Sequence, residues 1–292
     1  MKDTKKIPAA ICMVRESIES RKMVFNLAKN DFKTKYAGSY LGIIWAFVQP
    51  VVTILLYWFV FQVGFRSRPL GDYPFVLWLT AGLVPWFFFS DAWNGATNSM
   101  LEYSFLVKKV VFNIGILPVI KIFSAFFVNM FFTIFMVIVF AINGYMPTLH
   151  TLQLIYCLIC IIALCWALSY FTSSIIVFIR DLGHLLGIVL QVLMWMTPIM
   201  WDVGIVRQSY PWLEKLLKLN PVYYIVQGYR DSMFSNKWFW EKPMWTIYFW
   251  GLVIILFMIG AYVFQKLRPH FAGGLELGKG KGLNGKRFSR SK

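Results

Sequence analysis

Six stretches of this chain are apolar over about the 20 residues that a helix needs to cross a bilayer. They cover 41–64, 75–97, 116–142, 152–178, 185–203 and 244–264. Lipid offers no partner for a free backbone N–H or C=O, so spans of this kind are helices. The predicted fold class is therefore all-α, a polytopic membrane protein with six transmembrane helices. Composition agrees: of 292 residues, 59% are hydrophobic and 14% are charged, against about 25% charged in soluble domains. The second stretch is the least regular, with Asp91 and Asn94 in its last third. The fifth is short and broken at Thr197-Pro198. Pro50 and Pro85 are expected to kink the first two.

The segment 209–234 obeys different rules. It is too charged to span and too apolar for an ordinary loop. Pro211 opens one helix, Trp212 to Leu219, with Trp212, Leu213, Leu216 and Leu217 on one face. Asn220-Pro221 reads as an N-cap with a first-turn proline, opening a second helix toward Phe234. There Val222, Ile225, Val226, Tyr229 and Met233 share a face, with Gln227, Arg230 and Asp231 elsewhere. Helices of about 10–14 residues reach roughly half a bilayer core. A re-entrant helical hairpin between spans five and six is the expectation.

The net charge of +16 is concentrated at the ends. Residues 1–35 carry nine Lys/Arg against four acids, and residues 266–292 carry eight against one. Placing both termini, Lys108, Lys109 and Arg180 in the cytoplasm puts 20 of the 29 basic residues on that side. The hairpin then lies outside. Such charge suits topology and anionic lipid, and no nucleic-acid motif accompanies it. The expected organisation is a basic amphipathic interface helix over 1–36, interrupted at Arg21-Lys22, a six-span membrane domain over 37–271, and a Gly/Lys-rich, disordered tail over 272–292. No signal peptide is expected.

Chemistry-bearing motifs are sparse. Cys157 and Cys160 form a C-x-x-C inside an apolar run and read as small core residues, not metal ligands. Gly280-x-x-x-x-Gly285-Lys286 approaches a phosphate loop. However, Arg287 replaces the magnesium-binding hydroxyl, and no strand precedes it. The three histidines have no metal spacing. Asp91 and Lys121 lie nearest the membrane interior, where pairing across helices is expected. Aromatics such as Trp45, Tyr57 and Trp195 suit an interfacial belt or sugar stacking along a conduit; Tyr223 and Tyr224, at the hairpin mouth, are the better stacking candidates.

Three ordered segments carry a resemblance. AGSYLGIIWAFVQPVVTILLYWFVFQVGF (37–65) holds Tyr40-Leu41-Gly42, Trp45 and Pro50; IVFIRDLGHLL (176–186) holds an Arg-Asp link; LNPVYYIVQGYRDSMF (219–234) holds Asn220-Pro221 and Tyr229-Arg230. Across about residues 20–272 the chain resembles the transmembrane subunits of ABC-2-type polysaccharide exporters. The YWFVFQVGFRSR run and NPVYY look closest to wall teichoic acid permeases, with O-antigen and capsule permeases next.

That resemblance implies a permease without an ATPase site of its own, in the bacterial cell membrane. It implies two copies paired with two copies of an ABC ATPase, which binds ATP and magnesium; no cofactor is expected in this chain. A lipid-linked glycan would move outward between the copies. Asn98, Ser99, Glu102, Lys108, Lys109, Arg180 and Asp181 would couple to the ATPase. Asn220, Pro221, Tyr223, Tyr224, Tyr229, Arg230, Trp45, Tyr57 and Trp195 would form the outer gate or conduit. Lys29, Lys33 and Lys35 would meet the lipid phosphates. The alternatives are an ABC-2 permease for small hydrophobic compounds and a membrane enzyme of lipid or glycan modification; the latter lacks a catalytic cluster.

Overall fold

The computed structural model describes residues 9–37, 40–64, 73–107, 112–271 and 273–275. Among these, every regular element is helical. Two helices, α1 (Ala9–Glu19) and α2 (Arg21–Tyr36), meet at Ser20, one residue before the expected interruption. α3 (Trp45–Trp58) continues as a π-helical stretch to Gly64. α4 (Phe75–Glu102) is followed by the short α5 (Ser104–Val107). Two long helices follow, α6 (Leu117–Ile142) and α7 (Gln153–Ile176). α8 (Leu182–Met196) ends at Thr197, whose backbone is extended. α9 (Val203–Ser209), α10 (Pro211–Lys218) and α11 (Pro221–Arg230) are short, and α12 (Pro243–Leu267) is the last long helix.

Five helical segments are long and apolar enough to cross a membrane: Gly42–Gly64, Phe75–Glu102, Ile114–Ile142, Leu149–Ile176 and Pro243–His270. The expected fifth span, 185–203, instead contains α8, which has 15 residues and extends only ~22 Å against a core of about 30 Å. Pro198 supplies no N–H, and Thr197 leaves the helical region, so the helix stops there.

α4 is the axis of the bundle, packing on α3, α6, α7, α8 and α11. Phe75, Leu79, Leu83, Phe89 and Ala96 along it are buried in the main core. A second core joins α1 and α2 to α6, α7 and α12 through Met13, Ala28, Leu117, Tyr170 and Phe264. α12 approaches α7 so closely that a Cβ on Gly260 would lie 2.9 Å from the Ala167 carbonyl oxygen. α3 is loosely held: Val52, Leu55, Leu56 and Phe59 are each more than half exposed.

Candidate functional site

The segment expected to form the hairpin folds into two helices, α10 and α11, preceded by α9, which the sequence pattern did not mark. Asn220 caps α11 through its Oδ1, which accepts from the Val222 N–H at 2.9 Å. Its Nδ2 donates to Thr197 Oγ1 at 2.8 Å. One side chain thus starts the hairpin's second helix and ties it to the break after α8. Pro221 sits in the first turn. Val222, Ile225, Val226, Tyr229 and Met233 are all buried, as the helical period requires. In α10, by contrast, Trp212 and Leu216 are exposed, while Leu217 and Glu214 are buried. Glu214 accepts from Arg207 at 2.7 Å and Lys218 at 2.6 Å.

Arg230 and Asp231 were expected off the apolar face, and Arg230 at the conduit. Both are buried, with Arg230 only 2% exposed. Its Nη1 and Nη2 donate to the carbonyls of Pro198 at 2.8 Å and Ile199 at 2.7 Å. Its guanidinium carbon lies 3.7 Å from the centre of the Trp78 ring. The broken backbone after α8 has unpaired carbonyls, and Arg230 satisfies two of them. Tyr229 is likewise buried, its hydroxyl facing Asn129 and Thr133 of α6 without a hydrogen bond of good geometry. Tyr224 stands at the hairpin's rim, its hydroxyl 3.0 Å from those of Tyr156 and Thr246, and Tyr223 is half-buried beside it.

A groove of about 470 Å³ lies between α2, α3, α4, α6 and α8. Trp45, Gln49, Thr53, Asp91, Asn94 and Asn129 line it together with Lys35. Lys35 Nζ holds both Asp91 oxygens, at 2.7 and 2.9 Å, at the end of the groove nearest α2. Burial alone would lower the Lys35 pKa, but Asp91 outweighs it and holds it above the ordinary lysine value. Asn129 is 3% exposed and neither of its amide atoms is bonded. Amides, an ion pair and aromatic rings thus border one space inside an otherwise apolar bundle.

At the same end of the bundle, Lys121 of α6 bonds Asp31 of α2 at 2.7 Å and Glu102 of α4 at 2.5 Å. The Tyr103 hydroxyl also donates to Asp31 at 2.5 Å. Burial raises the Asp31 pKa, but the hydrogen bonds from Lys121 and Tyr103 outweigh it and hold the carboxyl below its ordinary value. Both ionisable residues nearest the interior, Asp91 and Lys121, are therefore paired across helices.

The remaining candidates are dispersed. Asn98 bonds Asn94 along α4, and its Oδ1 would lie 3.3 Å from a Cβ on Gly183, so the 179–184 link packs beside it. Arg180 and Asp181 on that link are exposed. Ser99 was expected on the coupling surface. It is buried instead, its hydroxyl bonded to the Ala96 carbonyl, because the helical turn points it inward with Ala96. Lys108 and Lys109 fall outside the described residues, as does all of the expected tail except 273–275. Lys29 and Lys33 are exposed on α2, Trp45 and Trp195 are exposed, and Tyr57 is half-buried. Sequence reading passed over Gln49, Thr53 and Asn129; a lone amide inside an apolar run was the available signal.

Relatives match nearly the whole chain. It is 24% identical over 262 residues to a protein named O-antigen export system permease protein RfbA from Myxococcus xanthus, covering 90% of this chain and 98% of the relative. A protein of the same name from Klebsiella pneumoniae is 26% identical over 249 residues, covering 84% and 92%. The family model for ABC-2 type transporters matches residues 23–234, from α2 through the groove to the end of the hairpin. With four of the five long apolar segments, the broken helix and helices α10 and α11 inside that match, this chain belongs to the ABC-2 type transporter family.

Proposed function

We propose that this chain is the permease subunit of an ATP-driven exporter carrying a lipid-linked cell-surface glycan from the cytoplasmic side outward. The observation that carries this reading is the groove bordered by Lys35–Asp91, Gln49, Asn129 and Trp45. Apolar cargo would not require amides and an ion pair there; a headgroup bearing hydroxyls and phosphate would. Membership of the family implies an ABC ATPase as partner. In this reading two copies of the chain pair with two ATPases, which bind the ATP and magnesium. Both termini face the cytoplasm, α8 with the segment after its break makes a sixth crossing, and the hairpin re-enters from outside. In the same reading Arg180, Asp181 and Glu102 would meet the ATPase, and Lys29 and Lys33 would meet the lipid pyrophosphate; the exposure of Arg180, Asp181, Lys29 and Lys33 supports this.

Two polymer classes divide the support. The YWFVFQVGFRSR (57–68) and NPVYY segments resemble teichoic acid permeases, whereas the curated relatives are named for O-antigen export. Depletion in the native host is the test. Lipid-linked polymer should accumulate inside and surface polymer should fall, and the chemistry of the accumulated polymer identifies the class. Undiminished surface polymer, or transport of small amphiphiles by the purified complex, overturns the reading.

A further inference from the structure

Behind the hairpin, and apart from the groove, a second cavity of about 320 Å³ lies between α4, α7, α9, α11 and α12. That size falls at the lower end of the roughly 300–1,000 Å³ typical of small-molecule sites. It suits a single unit of a polymer better than a length of chain.

Its walls combine aromatic surface with hydrogen-bonding groups. Trp78, Tyr223 and Trp245 supply rings, and Asp202, Gln227 and Asp231 supply oxygens and an amide. The walls are held in place by their own contacts. Trp78 is pinned on one side by Arg230, and Gln227 donates to Asp231 at 3.0 Å.

Charge selects among ligands. Three cations line the cavity: Arg207, Lys218 and Lys242. Each already holds a carboxylate. Arg207 and Lys218 meet on Glu214, and Lys242 is bonded to Asp231. The carboxylates of Glu214, Asp231 and Asp202 offset these three charges, so no net positive charge remains to favour a phosphate. A neutral ring of hydroxyls fits such a balanced wall: its C–H face stacks on an aromatic ring, and its hydroxyls hydrogen-bond to the carboxylates and the Gln227 amide.

We infer that this cavity binds one neutral sugar unit of the exported glycan, as a subsite within each copy of the chain. The inference rests on the glycan-export reading and narrows it toward sugar polymers rather than polyol phosphates.

The test is saturation-transfer NMR on the complex of full-length permease and its ATPase in lipid nanodiscs, with glucose, N-acetylglucosamine and glycerol 3-phosphate as probes. Saturable transfer to the ring C–H protons of a neutral sugar is expected, with none to glycerol 3-phosphate. Trp245→Ala should weaken sugar binding about fivefold, and Trp245→Phe should retain it. Because Trp245→Phe keeps a ring in place, its retained binding separates loss of stacking from loss of folding. Binding of glycerol 3-phosphate in competition with sugar, sugar binding indifferent to Trp245→Ala, or no sugar binding at all overturns the inference. The depletion experiment stays separate: a complex that exports polymer but binds no sugar here loses the subsite and keeps the transport function.

Discussion

Arg230 rests its guanidinium 3.7 Å from the centre of the Trp78 ring, although 151 residues separate the two in sequence. Its planar fork serves two carbonyls of the broken segment while the ring covers its face. Replacing it with methionine keeps much of the bulk but leaves the Pro198 and Ile199 carbonyls unpaired, at roughly 1–3 kcal/mol each. Arg230→Met should lower the thermal stability of the solubilised protein clearly. Arg230→Lys, which has no fork, should recover only part. A wild-type melting temperature in both would refute the clamp.

Gly260 is a packing requirement. A Cβ there meets backbone, the Ala167 carbonyl at 2.9 Å and the Phe171 nitrogen at 3.2 Å. Backbone does not yield as a flexible side chain does, so Gly260→Val should destabilise the protein by about 1–3 kcal/mol. Gly251, on the same helix, has nothing within 4 Å of its Cβ position, and Gly251→Ala should be near neutral. Chemical denaturation of the pair checks both.

Asp31 ties docking of α2 to pH. Its pKa is lowered in the folded protein, so its contribution is complete above the unfolded value of about 3.9. That contribution is lost as pH falls further, through the folded value. Protection factors for amide exchange across α2, with the intrinsic rate at each pH divided out, should stay constant at pH 5 and above and fall below about pH 4. In Asp31→Asn the low protection should already be present at neutral pH.

The Lys35–Asp91 pair is partly exposed. Such pairs contribute ~0–1 kcal/mol to stability, so a structural role alone predicts little effect of breaking it. Lys35→Glu and Asp91→Lys should each reduce polymer export strongly while barely shifting denaturation midpoints. The double reversal should restore part of the export. Export unaffected by either single change would remove the pair from the path.

Local periodicity and capping made part of this architecture legible. The buried face of α11 follows from apolar spacing at 3.6 residues, and its start from Asn220-Pro221. The stop of α8 at Thr197-Pro198 and the shortness of that stretch were both visible. Arg230 could not be placed, because an arginine reads as a surface residue until its partners are known, and those lie on α4 and beyond the α8 break. Asp31 and Lys121 were each visible as charges, but their pairing depends on how α2 crosses α6. Ser99 was misplaced because the second span was expected to end at residue 97, whereas α4 continues helical to Glu102 and turns Ser99 inward.

The bonds from Asn220 to Thr197 and from Arg230 to Pro198 and Ile199 have a mechanical consequence. The segment 220–230, the helix break and the first turns of α4 are tied together, so a displacement of one is expected to carry the others with it. Slippage must then fall where grip is weakest. That seam is α3 and its π-helical extension, whose Val52, Leu55, Leu56 and Phe59 are left exposed by the rest of the bundle.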